Sequence, residues 1–373
     1  MDFSEIVAQI TRGFAGFTWG NAIMIAAGLG LMTLAVVKEY EPVLLLPIGF
    51  GCVLANVGMS TQHGIFKVLY DAGIASELFP LLIFIGVGAM IDFRPLLAMP
   101  QMALLGAAGQ FGIYGTLLLA LALGFPLNQA ASIGVIGAID GPTAIFVTTK
   151  LAPEILAPVA VAAYSYMSLI PIIQVPVMKW LTTRKERLIR MEYAPRPVPR
   201  SVVIVFPIAV TVAVSLIAPD AAPLIATLML GNLLRESGVV ERLSKAAQNE
   251  IINVATLFLG LTIGATMTAQ SFLNARTLMI LGLGFMAFVL DTVAGLLFGK
   301  LMAFITRGKV NPLIGACGIS AFPMAGRLAA QVAKEEDFDN FILMHAMGAN
   351  TAGQLGSVIA GGLLLALTLG FLH

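Results

Sequence analysis

Gly134-Val-Ile-Gly-Ala-Ile-Asp140-Gly-Pro-Thr-Ala-Ile-Phe-Val-Thr-Thr-Lys150 is the stretch whose reading decides the fold. It lies between long apolar segments, so by hydropathy it belongs at membrane depth. Yet it carries a carboxylate, Asp140, followed at once by Gly141 and Pro142. Proline lacks an amide hydrogen and glycine frees the backbone, so a helix arriving at Asp140 is expected to break there. Broken backbone at that depth is tolerated only where it is buried in protein or lines a wet cavity. A carboxylate in the bilayer core costs about 2.5–3.5 kcal/mol or more to insert, and such residues mark ion paths. Asp140 is therefore read first as a cation site. One carboxylate among neutral oxygens suits a monovalent cation or a proton. Thr143 and Asn350 supply such oxygens, and Gly141 and Gly353 free backbone carbonyls.

The rest of the chain has the composition that this reading needs. Of 373 residues, 58% are apolar and only 11% charged, against about 25% charged in an ordinary soluble domain. This is a polytopic membrane protein. A net charge of +1 offers no basic field to collect phosphates, which argues against a nucleic-acid partner. Cys52 and Cys317 stand singly in apolar surroundings, as small buried hydrophobes do. No Ser/His/Asp triad, nucleotide loop or zinc spacing appears. Asp2 and Glu5 stand where a cleavable signal would be basic. Phe3, Ile6, Val7, Ile10 and Phe14 recur at helical spacing, so residues 1–16 read as an interfacial helix.

Apolar runs of spanning character follow, a span needing about 20 residues. They are Gly20–Val37, a short Val43–Val57, Leu78–Ile91, Met99–Gly124, the broken Asn128–Thr149, and Ile155–Trp180 with Pro171 and Pro176 inside it. The one strongly basic loop lies at 181–200, with Arg184, Lys185, Arg187, Arg190, Arg196 and Arg200. It faces the cytoplasm by the positive-inside rule and connects two halves, 17–180 and 201–373. The second half holds Val202–Ala218, Pro223–Leu234, Ile251–Met267, Thr277–Phe304, a Gly/Pro-rich Asn311–Arg327, and Phe338–Leu372. A second break is expected in this last span, at Met347–Gly353.

The halves resemble each other. Gly51 and Gly58 match Gly231 and Gly238, and Gly88-Ala89 matches Gly264-Ala265. Gly137-Ala138 before Asp140 resembles Gly348-Ala349 before Asn350. Interrupted segments at corresponding positions of two halves point to a transporter's binding site, here between Asp140 and Asn350.

Other polar residues on apolar elements are candidates with bland alternatives. Asp291 is either a second ion ligand or the partner of a buried base. Tyr164 and Tyr166 follow the broken element, and each is either a proton-handling phenol or an interface anchor. Arg327 has the planar fork that clamps a carboxylate, unless it is a cytoplasmic anchor. His345 reads as a packed histidine.

Five runs in order also resemble a known family. They are Ile136-Gly-Ala-Ile-Asp140-Gly-Pro-Thr-Ala-Ile, Ala163-Tyr-Ser-Tyr166-Met-Ser-Leu-Ile-Pro-Ile-Ile-Gln174, Asn311-Pro-Leu-Ile-Gly315, Ser320-Ala-Phe-Pro-Met-Ala-Gly-Arg327 and His345-Ala-Met-Gly-Ala-Asn350. Together they look like the beta subunit of sodium-pumping, biotin-dependent decarboxylases. Ile139, Gly326 and Ala349 depart from the family's usual Ala, Ala and Pro, without removing a polar group.

The resemblance implies an all-α membrane protein of two inverted repeats, about 9–11 segments, with a core moving against a scaffold in the cytoplasmic (inner) membrane. It implies that carboxybiotin, supplied by a partner biotin carrier and carboxyltransferase, is decarboxylated here. A proton is consumed and Na+ is driven outward, within an oligomeric complex that includes a small membrane subunit. Carried over by motif, Asp140 would bind Na+ with Asn311 and Asn350 near it. Tyr166 and Ser320 would serve the sodium or proton path, and Arg327 would recognise carboxybiotin. The residues alone leave open a stand-alone Na+- or H+-coupled carrier of an organic anion.

Overall fold

The computed structural model describes residues 16–39, 42–59, 61, 63–192 and 197–372. The expected interfacial helix over 1–16 lies, but for Gly16, outside the described residues. The longer helices of the first half are α1 Trp19–Val37, α2 Pro42–Asn56, α3 Leu78–Met90, α4 Met102–Ala108, α5 Phe111–Ala122, α6 Leu127–Gly134, α7 Gly141–Leu151, α8 Leu156–Ser168 and α9 Ile170–Leu181. Those of the second are α10 Arg200–Ile217, α11 Ala222–Ser237, α12 Ile252–Thr266, α13 Ala275–Ile305, α14 Met324–Glu336 and α15 Leu343–Leu372. Among the described residues, six helical stretches are long and apolar enough to cross a membrane, or up to eight if each of two bent pairs is one span. Large apolar side chains lie bare on them, Leu216 and Phe304 among them, as lipid contact requires. Cys52 and Cys317 are free and buried.

The chain forms two compact units, Met1–Phe79 with Asn253–Met279, and Pro80–Ile252 with Ile280–His373. Helices in lipid approach closely only where side chains are small, and glycines set both interiors. In the first unit α1 and α2 cross at Gly28 and Gly49. A Cβ on either would stand 2.7 or 2.6 Å from the other's carbonyl oxygen. A Cβ on Gly51 would overlap the Leu261 carbonyl of α12, and one on Gly264 the Ile48 carbonyl of α2. In the second unit Gly88 of α3 meets the Leu228 carbonyl, and Gly231 of α11 meets that of Ile85. Four of the glycines through which the halves resemble each other thus interlock, Gly51 with Gly264 and Gly231 with Gly88. Each of these two contacts takes one helix from each half. An amide locks the second, Asn232 Nδ2 donating to Ile91 O at 2.9 Å. In the first, Asn56 Nδ2 donates to Met267 O at 2.8 Å.

Two interruptions in the second unit bear on the site. One is 135–140, between α6 and α7; the other is 311–323, between α13 and α14. Each begins as a tight 3₁₀ turn, Val135–Ala138 and Pro312–Cys317. The expected break at Met347–Gly353 is absent, because α15 runs as one helix from Leu343 to Leu372. Gly353 serves close packing there. Its Cβ would come within 2.7 Å of Ile319 N and 2.5 Å of Gly318 O. With no proline in the run, nothing removes a helical hydrogen bond. The expected single run Met99–Gly124 is instead interrupted at Gly109 and Gln110, between α4 and α5. The expected run Ile155–Trp180 bends by 62° between α8 and α9, where Pro171 opens the second helix.

The basic connector is more than a topology signal. Arg187 pairs with Glu336 at 2.6 Å and Arg190 with Asp337 at 2.7 Å, at the end of α14. Asn311 and Asn340 both donate to the Arg187 and Ile189 carbonyls.

Candidate functional site

The chain reaches Asp140 through an unfavourable backbone. Ile139 sits at φ 53°, ψ 40°, the left-handed region, where a β-branched residue is an outlier costing about 1–2 kcal/mol. Asp140 is extended at φ −130°, and Gly141-Pro142 then opens α7. Pro142 needs no donor partner there, since the first amides of a helix are unbonded anyway. The result is a carboxylate aimed out of the helical ladder.

Asp140 is 6% exposed. Its Oδ2 accepts from Thr143 Oγ1 at 2.7 Å, Gln354 Nε2 at 3.2 Å and Ser320 Oγ at 3.5 Å. No side chain donates to Oδ1, and no ion pair involves Asp140 among the described residues. The donors come from α7, from α15 and from the second interruption. The group is neither in bulk solvent nor locked to a basic neighbour. Neutral donors on one oxygen soften its desolvation without cancelling its charge. The arrangement can bind and release a small cation or a proton.

Asn350 is placed one residue away from the ring of donors. Its Nδ2 donates to Ile319 O at 2.7 Å, which fixes the backbone just before Ser320. Its Oδ1 is buried with no hydrogen-bond partner among the described residues. Gln110, in the gap between α4 and α5, ties the same region together. Its Nε2 donates to Gly106 O at 2.8 Å and Gly318 O at 3.2 Å, and its Oε1 accepts from Ser357 Oγ at 3.0 Å.

Residues 20–368 match the family described as the Na+-transporting oxaloacetate decarboxylase beta subunit. The chain belongs to this family. It is 53% identical over 355 residues to the methylmalonyl-CoA decarboxylase subunit beta of Veillonella parvula, 95% of each chain being covered. It is 51% identical over 358 residues to the glutaconyl-CoA decarboxylase subunit beta of Acidaminococcus fermentans, again 95% of each. Over 410 residues it is 47% identical to the oxaloacetate decarboxylase beta chain of Klebsiella pneumoniae, covering 93% of this chain and 94% of that one.

The other residues singled out in this beta subunit are scattered. Tyr166 is half-buried on α8, donating to Leu281 O at 2.6 Å, with its ring edge-on to Phe285. Asn311 caps the second 3₁₀ turn, its Oδ1 accepting from Leu313 N at 3.0 Å while its amide holds the connector. No hydrogen bond joins it to Asp140. Arg327 is exposed in the first turn of α14. With Gln331 and Lys334 it lines a surface concavity of about 400 Å³. Asp291 has no basic partner among the described residues. Its Oδ1 accepts from Gly112 N at 2.8 Å, at the start of α5, and its Oδ2 has no partner. His345 is buried, as a packed histidine is.

Sequence reasoning missed Gln354, Ser357 and Gln110. The first two were findable, because Asn350, Gln354 and Ser357 fall at i, i+4 and i+7 in an apolar run and so share one helix face. Gln110 gave no signal, since its role depends on carbonyls more than 200 residues away in the chain.

Proposed function

We propose that this membrane subunit decarboxylates carboxybiotin delivered on a partner's mobile biotin carrier, and couples the reaction to outward Na+ transport across the cytoplasmic membrane. The observation that carries this is Asp140, a buried carboxylate at a helix break, whose side-chain hydrogen-bond partners among the described residues are all neutral donors. Sodium binds at the Oδ1 side of this carboxylate, which receives no side-chain donor, with Ser320 and Asn350 close by on the second interruption and α15. Loss of carbon dioxide breaks the N–C bond of carboxybiotin and leaves the electron pair on nitrogen, which takes up a proton. On its way to that nitrogen the arriving proton competes with sodium for Asp140 and releases the ion outward. Tyr166 lies on the path of one or the other. Moving an ion against the membrane potential costs about 2.3 kcal/mol per 100 mV, so release must be gated by chemistry. Arg327 grips the carboxybiotin carboxylate with its planar fork, beside Lys334.

The partners in this reading are a biotin-bearing carboxyltransferase subunit and a small membrane subunit. Three similar relatives are named for three different acids, which fits a subunit that meets only carboxybiotin. The test is Asp140→Asn in the purified, reconstituted complex. Sodium-stimulated decarboxylation of free carboxybiotin should disappear. A variant that still pumps sodium at the normal rate overturns the proposal.

A further inference from the structure

Two tyrosines follow the break, and they are treated differently. Tyr166 has its hydroxyl committed to Leu281 O. Tyr164 is 2% exposed, and among the described residues its hydroxyl has no hydrogen-bond partner. A buried hydroxyl without a partner is destabilising, and phenylalanine would fill the same space without that penalty. The position of the ring explains what the hydroxyl is for. It packs directly against Gly141, the residue after Asp140. A Cβ there would overlap Tyr164 Cε1 and Cζ, the carbon that carries the hydroxyl. The phenol end of Tyr164 is therefore seated at the backbone step that carries the Asp140 carboxylate. Only a glycine at 141 lets the ring come so near. The side of Asp140 that receives no side-chain donor is Oδ1, since Thr143, Gln354 and Ser320 all converge on Oδ2.

We infer that the phenolic oxygen of Tyr164 is a ligand of the monovalent cation held at Asp140. A phenol suits this, having lone pairs for a hard cation while remaining neutral. Its lone pairs, which no protein donor among the described residues uses, are then available to the ion. The ion supplies the missing contact, and the hydroxyl contributes nothing to the ion-free fold. The inference rests on reading Asp140 as the sodium-binding carboxylate.

The test is equilibrium binding of radioactive sodium to the purified complex, alongside thermal unfolding with and without sodium. Tyr164→Phe keeps the ring and removes only an unbonded hydroxyl, so its ion-free melting temperature should equal or exceed the wild-type value. Its sodium dissociation constant should rise at least tenfold, and the sodium-induced rise in melting temperature should need correspondingly more salt. Asp140→Asn should lose sodium binding altogether. If Tyr164→Phe binds sodium as the wild type does while Asp140→Asn does not, the ligand assignment is wrong and the Asp140 site stands. A drop in the ion-free melting temperature with unchanged sodium affinity likewise overturns the assignment, because the hydroxyl is then structural. If Asp140→Asn binds sodium normally, the site itself is wrong and the Tyr164 assignment falls with it.

Discussion

Adding one methyl group at residue 141 tests whether the break and the ring behind it are a fitted pair. In Gly141→Ala the new Cβ would stand 2.8 Å from Tyr164 Cδ1 and would overlap Cε1 and Cζ. Ordinary carbon–carbon contact begins near ~3.5 Å. The ring and the start of α7 must therefore part by at least about 0.7 Å to clear Cδ1 alone, and further to clear the other two atoms. Neither has open space to enter, because Tyr164 and Gly141 are both buried. Overpacking of this kind costs about 1–3 kcal/mol. The displacement also moves Asp140 relative to Ser320 and Gln354, which belong to other elements and are already at 3.5 and 3.2 Å. At about 1.4 kcal/mol per tenfold, sodium affinity should fall roughly 5- to 150-fold, with a lower melting temperature. The control is Gly282→Ala on α13, where a Cβ meets nothing within 4 Å. That change should leave sodium binding alone and stabilise the helix slightly, by up to about 1 kcal/mol. Radioactive sodium binding and thermal unfolding of both variants decide the matter. A Gly141→Ala protein with wild-type affinity and melting temperature refutes the claim that ring and break are packed against each other.

Two further outcomes follow from other parts of the fold. Arg327→Ala should lower decarboxylation of free carboxybiotin about 10- to 150-fold, the worth of a charge-assisted bidentate contact of about 1.5–3 kcal/mol, while sodium binding stays unchanged; equal loss of both would place Arg327 in the ion site instead. The connector should loosen in acid. Hydrogen bonding to Arg187 holds the Glu336 carboxyl below its usual range, as Arg190 does for Asp337. A lowered folded value means their stabilisation is complete above the ordinary carboxylate values near pH ~4 and is lost as pH falls through the lower folded values. Amide exchange over 181–192 should therefore rise below about pH 4, and Glu336→Gln should show the raised exchange already at pH 7.

Much of this protein is written in its order of residues. Span-length apolar runs, with few charges between them, require a bilayer, because no soluble core accounts for bare Leu216 and Phe304. A lone aspartate before Gly-Pro fixes a break, because proline removes a backbone donor wherever the chain goes next. The interlocking glycines were visible as matched positions in two halves. Their pairing across the halves was not, since a match in sequence says that two helices are alike and nothing about which helix each one meets. The break expected at Met347–Gly353 fails for a related reason. Glycine permits an interruption but does not impose one, and here Gly353 is used to approach Gly318. The sequence alone also treats Tyr164 and Tyr166 as equals, two phenols on one helix. Their difference is decided by what the fold puts opposite each, a carbonyl for Tyr166 and a bare glycine beside a carboxylate for Tyr164. Local chemistry dictates where a chain bends and what it carries to the bend. Which groups meet there is a property of contacts between distant segments, and only packing settles those.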